Sequence, residues 1–361
     1  MLRLPPSLRR PKRLASLLLA SSVALLAAKS SAQEVFSQIV GATAFDLPAE
    51  TDVTLAANFM PPPLFRGPVD GTAEAVEGGS RAPLPADSLE DGAFAPSNGV
   101  PTHYLYVETG ALEGRRFDIL GNDASSVTVD AADLGALAVD DEVSARPHRT
   151  LDEVFPEGVA FHEEESPGLR EIELILPFRA NAGVGVTVDR VFFFYDGAWR
   201  EVGEPLDEDK GSTVIPPSHA IVIRNNGAAK TGHFFGEVAD TPIAVPLETD
   251  PDEPVDNFVG VERPLPIAVE DFGLSGSVFA ETVSLDDIQD QLLVFDPEAP
   301  GKNKQPVAAY FFYSGAWRKV GEDPSEDFGQ DLVDPGYGLL IRKAPDPDEE
   351  ALFWVNQWDL P

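Results

Sequence analysis

Apolar positions along this chain come in short runs of Val, Ile, Leu, Phe and Tyr, punctuated by Pro and Gly. Recurrence at the helical period is nearly absent, so the pattern predicts strands. Residues 33 to about 70 give one or two extended segments. Phe45, Leu47, Val53 and Leu55 alternate there with polar or small neighbours, and Pro61-Pro62-Pro63 ends the pattern. Residues 70–100, rich in Gly, Ala, Pro and acids, read as a loop with room for one short strand. Residues 103–149 read as a compact β module. His103–Val107 is one strand, and Arg115–Leu120 and Ser126–Asp130 flank a turn cluster at Gly121-Asn122-Asp123. Glu142–Pro147 closes the module. Thr150-Leu151-Asp152-Glu153 has the spacing of a capping box and predicts one short helix stopped by Pro156.

The second half of the chain repeats itself. Phe193-Phe194-Tyr195-Asp196-Gly197-Ala198-Trp199-Arg200 matches Phe311-Phe312-Tyr313-Ser314-Gly315-Ala316-Trp317-Arg318 at an offset of 118 residues. Val202-Gly203, Pro217 and Ile221–Arg224 match Val320-Gly321, Pro335 and Leu339–Arg342 at the same offset. An offset held constant through loops means that the two copies fold alike. Asp196-Gly197 is a favoured type I′ pair, and a two-residue loop fixes the register. Tyr195 then faces Ala198, Phe194 faces Trp199, and Phe193 faces Arg200, which can lie over a ring. In the second copy Phe312 faces Trp317 and Phe311 faces Arg318. Such a hairpin is either a ligand platform, with Trp199, Arg200, Trp317 and Arg318 as its binding residues, or a core element. Adjacent aromatics from Phe192 to Tyr195 favour a strand buried on both faces.

Between the copies, Leu247–Asp256 is acidic, Pro-rich and read as an exposed linker. Further strands are expected over residues 257–267 and 291–296, with a short helical turn within 282–290. The expected organisation is an N-terminal β region over 33–180, a first repeat module over 181–245, and linker strands with the second module over 246–361. The expected fold class is all-β: antiparallel sandwich or small-barrel modules with an internal duplication and few short helices.

The first 32 residues read as a secretory signal peptide. Arg3, Arg9, Arg10, Lys12 and Arg13 precede an uncharged apolar stretch from Leu14 to Ala28, and Ser30-Ser31-Ala32 offers a cleavage site. A stretch of about 15 apolar residues is short for a span, which needs about 20. Export to the periplasm, outer surface or medium is therefore expected, with no membrane span after cleavage. Cleavage would remove six basic residues and no acid, taking the formal charge from −35 to −41. Such a chain repels the phosphate backbone, so nucleic acid is not an expected partner. The chain has no cysteine, which excludes disulfides, thiol nucleophiles and Cys metal sites.

Candidate chemistry is sparse. No nucleophile elbow, zincin helix or P-loop occurs. His103, His148, His162, His219 and His233 stand without an i+3 or i+4 ligand partner, and His162 lies beside Glu163-Glu164-Glu165. The acidic stretches around Asp207 and Asp209, and around Asp250 and Asp252, are candidate calcium ligands without EF-hand or nonapeptide spacing. Carboxylate pairs for glycoside hydrolysis are set in space rather than in sequence, so none is named from spacing.

Several blocks resemble an uncharacterised family of exported bacterial proteins: Thr109–Ile119, Thr150–Pro156, Gly197–Gly203 with its aromatic hairpin, and Asp334-Pro335-Gly336-Tyr337-Gly338 in the second copy. The resemblance covers most of the chain after the leader. It implies export and the duplicated layout, and carries no activity. The functional expectation is an exported non-enzymatic β protein, surface-associated and either structural or ligand-binding. The alternative is an extracellular protein that binds or hydrolyses carbohydrate, with a glycan or cell-surface partner.

Overall fold

The computed structural model describes residues 40–361 except 57–58, 132–133, 178–183, 185–187, 240, 262–264, 275, 277, 336–337, 348–351 and 357–361. The expected signal peptide lies outside the described residues. The fold is all-β, built from open antiparallel sheets.

Chain order explains the architecture. β1 (Val40–Leu47) and β2 (Thr51–Ala56) come first. A separate group follows: β3 (Phe65–Pro68), β4 (Glu74–Val76), β5 (Gly79–Pro83), β6 (His103–Val107), β7 (Arg116–Asp123), β8 (Ser126–Val129) and β9 (Glu142–Pro147). Then come β10 (Arg149–Thr150), helix α1 (Leu151–Val154), β11 (Ile172–Pro177), β12 (Val188–Tyr195), β13 (Ala198–Glu201), β14 (Val214–Ile215), β15 (Ala220–Asn225) and β16 (Lys230–Glu237). The second half runs β17 (Ile243–Leu247), β18 (Val255–Gly260), β19 (Ile267–Ala268), β20 (Gln291–Val294), β21 (Ala308–Tyr313), β22 (Ala316–Lys319), β23 (Leu332–Val333), β24 (Gly338–Lys343) and β25 (Leu352–Asn356).

Each half builds a five-stranded sheet in the same order. The first is β13-β12-β11-β15-β2 and the second β22-β21-β20-β24-β18. The hairpins hold the predicted register, with Phe194 opposite Trp199 and Phe312 opposite Trp317. Both turns carry positive φ at both central residues, 52° and 67° at Asp196-Gly197 and 52° and 75° at Ser314-Gly315, as a type I′ turn requires. The offset of 118 extends to features that sequence matching does not reach. Glu164 N donates to Phe194 O as Thr282 N does to Phe312 O, and Leu151 N donates to Thr213 O as Val269 N does to Asp331 O.

The duplicated unit is larger than the repeated sequence. The outer strand of each sheet recurs at an offset of 204, because Ala56 pairs with Ala220 and Gly260 with Gly338. The excess over 118 is 86 residues, which is the β3–β9 group inserted between β2 and β10 of the first copy. That group forms a seven-stranded sheet ordered β3-β9-β6-β7-β8-β5-β4. The expected boundary near residue 180 is therefore corrected: β2 and β11, placed in the N-terminal region, are strands of the first repeat's own sheet. The inserted sheet also begins before residue 103, and two strands cross the expected 70–100 loop. Its hairpin turns at Ala124-Ser125, with Asp123 opposite Ser126 and a bulge at Leu120, so Gly121–Asp123 lie in the strand. Residues 284–287 form a single turn closed by Asp287 N donating to Ser284 O, not a helix.

The capping box forms as predicted. Thr150 Oγ1 accepts from Glu153 N and Glu153 Oε2 accepts from Thr150 N, so the two end groups of α1 satisfy each other.

Alternation along the strands assigns faces to cores. In the first sheet Leu174, Phe192, Phe194, Trp199, Ile221, Ile223, Val53 and Leu55 point into one core. The opposite faces of the two sheets meet through Ala220, Phe258, Leu293, Phe295 and Leu340. Close approach there needs glycine: a Cβ on Gly338 would sit 2.3 Å from Thr54 Cγ2, and one on Gly260 2.3 Å from Ala56 Cβ. Strand β6 serves two cores. Leu105 and Val107 face the insert's interior, whereas Tyr104 and Tyr106 join the core of the second copy. Arg146, 1% exposed, ties the insert to the first copy by reaching Glu237 at 3.1 Å and Glu108 at 3.4 Å and donating to Pro61 O.

Trp199 and Trp317 are 1% and 4% exposed and meet Phe194 and Phe312 edge-on, at 5.7 and 5.6 Å between centroids. Replacing either by Ala is expected to cost about 3–5 kcal/mol through lost burial and the cavity left behind. Chemical denaturation should show the two variants destabilised alike. A loss below about 1 kcal/mol for either would contradict the core role.

Candidate functional site

The residues singled out by sequence fall into three places. Trp199 and Trp317 are core residues, which corrects the platform expectation: their ring faces are packed against protein, and Trp199 Nε1 donates to Phe155 O. Arg200 is 8% exposed and donates to Tyr195 O, and Arg318 donates to Glu326 O. The cation that lies over Phe193 is Arg170, with 5.8 Å from guanidinium carbon to ring centroid. The expected Arg200 stack is absent among the described contacts.

The acidic stretches form turns. Asp209 Oδ1 accepts from Gly211 N, and Asp250 Oδ1 accepts from both Asp252 N and Glu253 N. These bonds are local side-chain-to-backbone bonds that shape loops. Asp207 and Asp252 are exposed. Among the described residues no group of three or more potential ligands gathers for a metal. Asp209 does approach Asp152: partial burial and the neighbouring Asp209 charge push the Asp152 carboxyl above its usual range. Three of the five histidines lie against local partners. His148 Nε2 meets Asp118 Oδ1 at 2.9 Å, His219 Nε2 meets Pro177 O at 3.1 Å, and His162 lies 3.3 Å from Glu164.

The structure adds a concavity that the sequence does not reveal. A groove of about 300 Å³ lies between the two copies. Phe45, Leu55 and Phe234 of β1, β2 and β16 lie buried beneath it, Ala44, Pro48, Pro297 and Pro335 are its accessible apolar lining, and β1 supplies Asp46 as one acidic group. The loops after β20 and β23 of the second copy supply Glu298 and Asp334. Phe45 and Phe234 are held 4.7 Å apart between centroids, and Phe234 packs on Phe155 at 5.6 Å, so the base of the groove is fixed by the first core. All three carboxylates are exposed, and Asp46 Oδ1 accepts from Thr231 Oγ1 at 2.9 Å. Exposed carboxylates beside small apolar side chains accept hydrogen bonds from hydroxyl or ammonium groups of a ligand. A smaller concavity of about 250 Å³ lies at the second hairpin, with Trp317, Glu270 and Asp327 among its lining residues. A third, lined in part by Arg116 and Arg149, has about 30 Å³, room for about two waters.

No protein-family model, curated protein or solved structure matched the chain. No helix among the described residues is long and apolar enough to cross a membrane.

Beside the inter-sheet contact, the two copies place equivalent ion pairs. Arg224 forks onto Asp52 with both bonds at 2.8 Å, and Arg342 onto Asp256 at 2.7 and 3.0 Å. Burial alone would raise the Asp52 carboxyl. The Arg224 fork and the N–H of Asn303 overcome that and hold it below the usual carboxylate range. A carboxyl depressed on folding adds stability above its unfolded value of about 3.9, and that stability fades as pH falls through the folded value. Arg224→Met should therefore move the acid-unfolding midpoint upward and cost about 1–3 kcal/mol near neutrality, less than a sealed pair because Arg224 is partly exposed. Circular dichroism against pH reads both. An unmoved acid midpoint would remove Asp52 from the account of acid stability.

Proposed function

We propose that this chain is an exported, non-enzymatic β protein that binds a ligand in the groove between its two copies. The ligand class that fits best is a neutral or amino saccharide. A sugar ring offers hydroxyl or ammonium hydrogens to the exposed Asp46, Glu298 and Asp334, and an apolar face to the accessible Ala44, Pro48, Pro297 and Pro335. The single observation carrying this reading is that both copies contribute to one groove lined by three exposed carboxylates beside accessible Ala and Pro side chains. Export rests on the basic-then-apolar leader, and the family resemblance agrees with it. The acidic surface suits a ligand without negative charge, since a polyanion would be repelled. Calcium at Asp207, Asp209, Asp250 or Asp252 is not needed for this reading.

A panel of neutral, amino and acidic oligosaccharides tested by calorimetry separates the outcomes. Saturable binding of a neutral or amino glycan is expected. The triple variant Asp46→Asn, Glu298→Gln, Asp334→Asn should weaken it at least about tenfold, equivalent to about 1.4 kcal/mol, with the melting temperature kept. Binding unchanged in that variant, or no binding across the panel, would overturn the assignment.

A further inference from the structure

The second copy contains a buried charge pair with no counterpart at the equivalent positions of the first. Lys343 ends β24, and Asp290 stands one residue before β20. These strands are paired with Gln291 opposite Arg342, so the next step of the ladder sets Asp290 across from Lys343. The two side chains are 3% and 1% exposed, and Nζ is in direct contact with Oδ2. Three backbone groups complete the shell. Asp290 Oδ1 accepts from Ala344 N at 2.8 Å, Oδ2 accepts from Ala280 N at 2.7 Å, and Lys343 Nζ donates to Val278 O at 2.8 Å. At the equivalent positions, 118 residues earlier, the first copy has Asn225 and Ile172. There the neutral Asn225 amide donates to the carbonyls of Leu47, Pro48 and Ala228.

We propose that Lys343 and Asp290 condense to an internal amide that cross-links β20 to β24. A proton passes from the Nζ ammonium to Oδ2, leaving a neutral amine and a neutral carboxyl. The amine lone pair attacks Cγ, the Cγ–Nζ bond forms, and the Cγ–Oδ2 bond breaks. Oδ2 departs as water carrying two protons, both from Nζ, and Nζ keeps one. Nothing is oxidised or reduced, and no co-reactant is needed. Proximity is supplied by the strand register, which holds amine and carboxyl together in the folded state only. The Ala344 N–H on Oδ1 stabilises the oxyanion that develops there on attack, and the Ala280 N–H on Oδ2 holds the oxygen that departs. The product suits its site. Its carbonyl oxygen keeps the Ala344 N–H and its remaining N–H keeps Val278 O, while the Ala280 N–H gives up Oδ2 as its acceptor. Two buried full charges, which are costly to desolvate, become one neutral amide. The dry surroundings then disfavour hydrolysis back to the acid and amine. In a chain without cysteine this joins positions 53 residues apart by a covalent bond that reductant does not cleave.

Intact-mass measurement of the purified full-length product tests the proposal, with the N-terminus read from the same sample to fix the reference mass. The expected mass is lower than the sequence mass by one water, about 18 Da. Trypsin should fail to cut after Lys343, and the peptide running from Lys343 to Pro361 should appear joined to the one ending at Lys302. Lys343→Arg should restore the full sequence mass. A wild-type mass equal to the sequence mass, with normal cleavage at Lys343, would overturn the proposal and leave an ordinary buried ion pair. Because the decisive reading is on the wild-type chain, a variant that fails to fold does not weaken the test.

Discussion

The edge-on contact of a phenylalanine with a tryptophan across a two-residue turn organises each half of this protein. Phe194 on Trp199 and Phe312 on Trp317 stand at the outer edge of a five-stranded sheet, where a hairpin would otherwise present aromatic surface to water. The type I′ turn makes the contact obligatory, because two residues with positive φ leave only one register for the flanking strands. Once the rings are placed, the alternating positions of every neighbouring strand are committed to one of two faces. One face closes the core of its own copy. The other is free to meet the second sheet, and does so where Gly260 and Gly338 let the backbones approach.

The insertion of a whole sheet into the first copy is compatible with this scheme because it enters at a loop. In the second copy β18 reaches β19 through residues 261–266, whereas in the first copy the β3–β9 group intervenes between β2 and β10. The insert is more than an appendage. Tyr104 and Tyr106 complete a core on the far side of the duplication, with Tyr106 Oη donating to Pro242 O, and Arg146 is sealed against Glu108 and Glu237. A buried guanidinium is costly to leave unpaired, so the contact depends on Glu108 and Glu237 being in place.

The two copies have kept the backbone plan and diverged in their polar interiors. Both use an Arg–Asp fork at the same point of the sheet, although the aspartates come from strands whose offset differs from that of the arginines. At the end of that sheet one copy uses Asn225 and the other Lys343 with Asp290. Both ways satisfy buried backbone groups, but only the second places a nucleophilic amine against a carboxyl carbon. The groove arises from the same duplication, since Asp46 comes from one copy and Glu298 and Asp334 from the other.

Local physics was legible in the chain. The period-2 runs, the Asp-Gly turn, the capping box at Thr150 and the 118-residue offset each act over a few residues, or repeat visibly, and each led to the observed strand, turn, helix or register. Adjacent aromatics from Phe192 to Phe194 likewise announced a strand buried on both faces. What pairs at long range was not legible. β2 belongs to the sheet of β15 because of a contact across an inserted domain, and the Val255–Gly260 strand carries too little residue identity to it to reveal the larger repeat. The groove and the Lys343–Asp290 pair also depend on strands brought together by folding. With 61 acidic residues in the sequence, charge and spacing alone give no reason to choose Asp46, Glu298, Asp334 or Asp290 over the rest. Burial and neighbourhood make that choice, and both are properties of the tertiary structure.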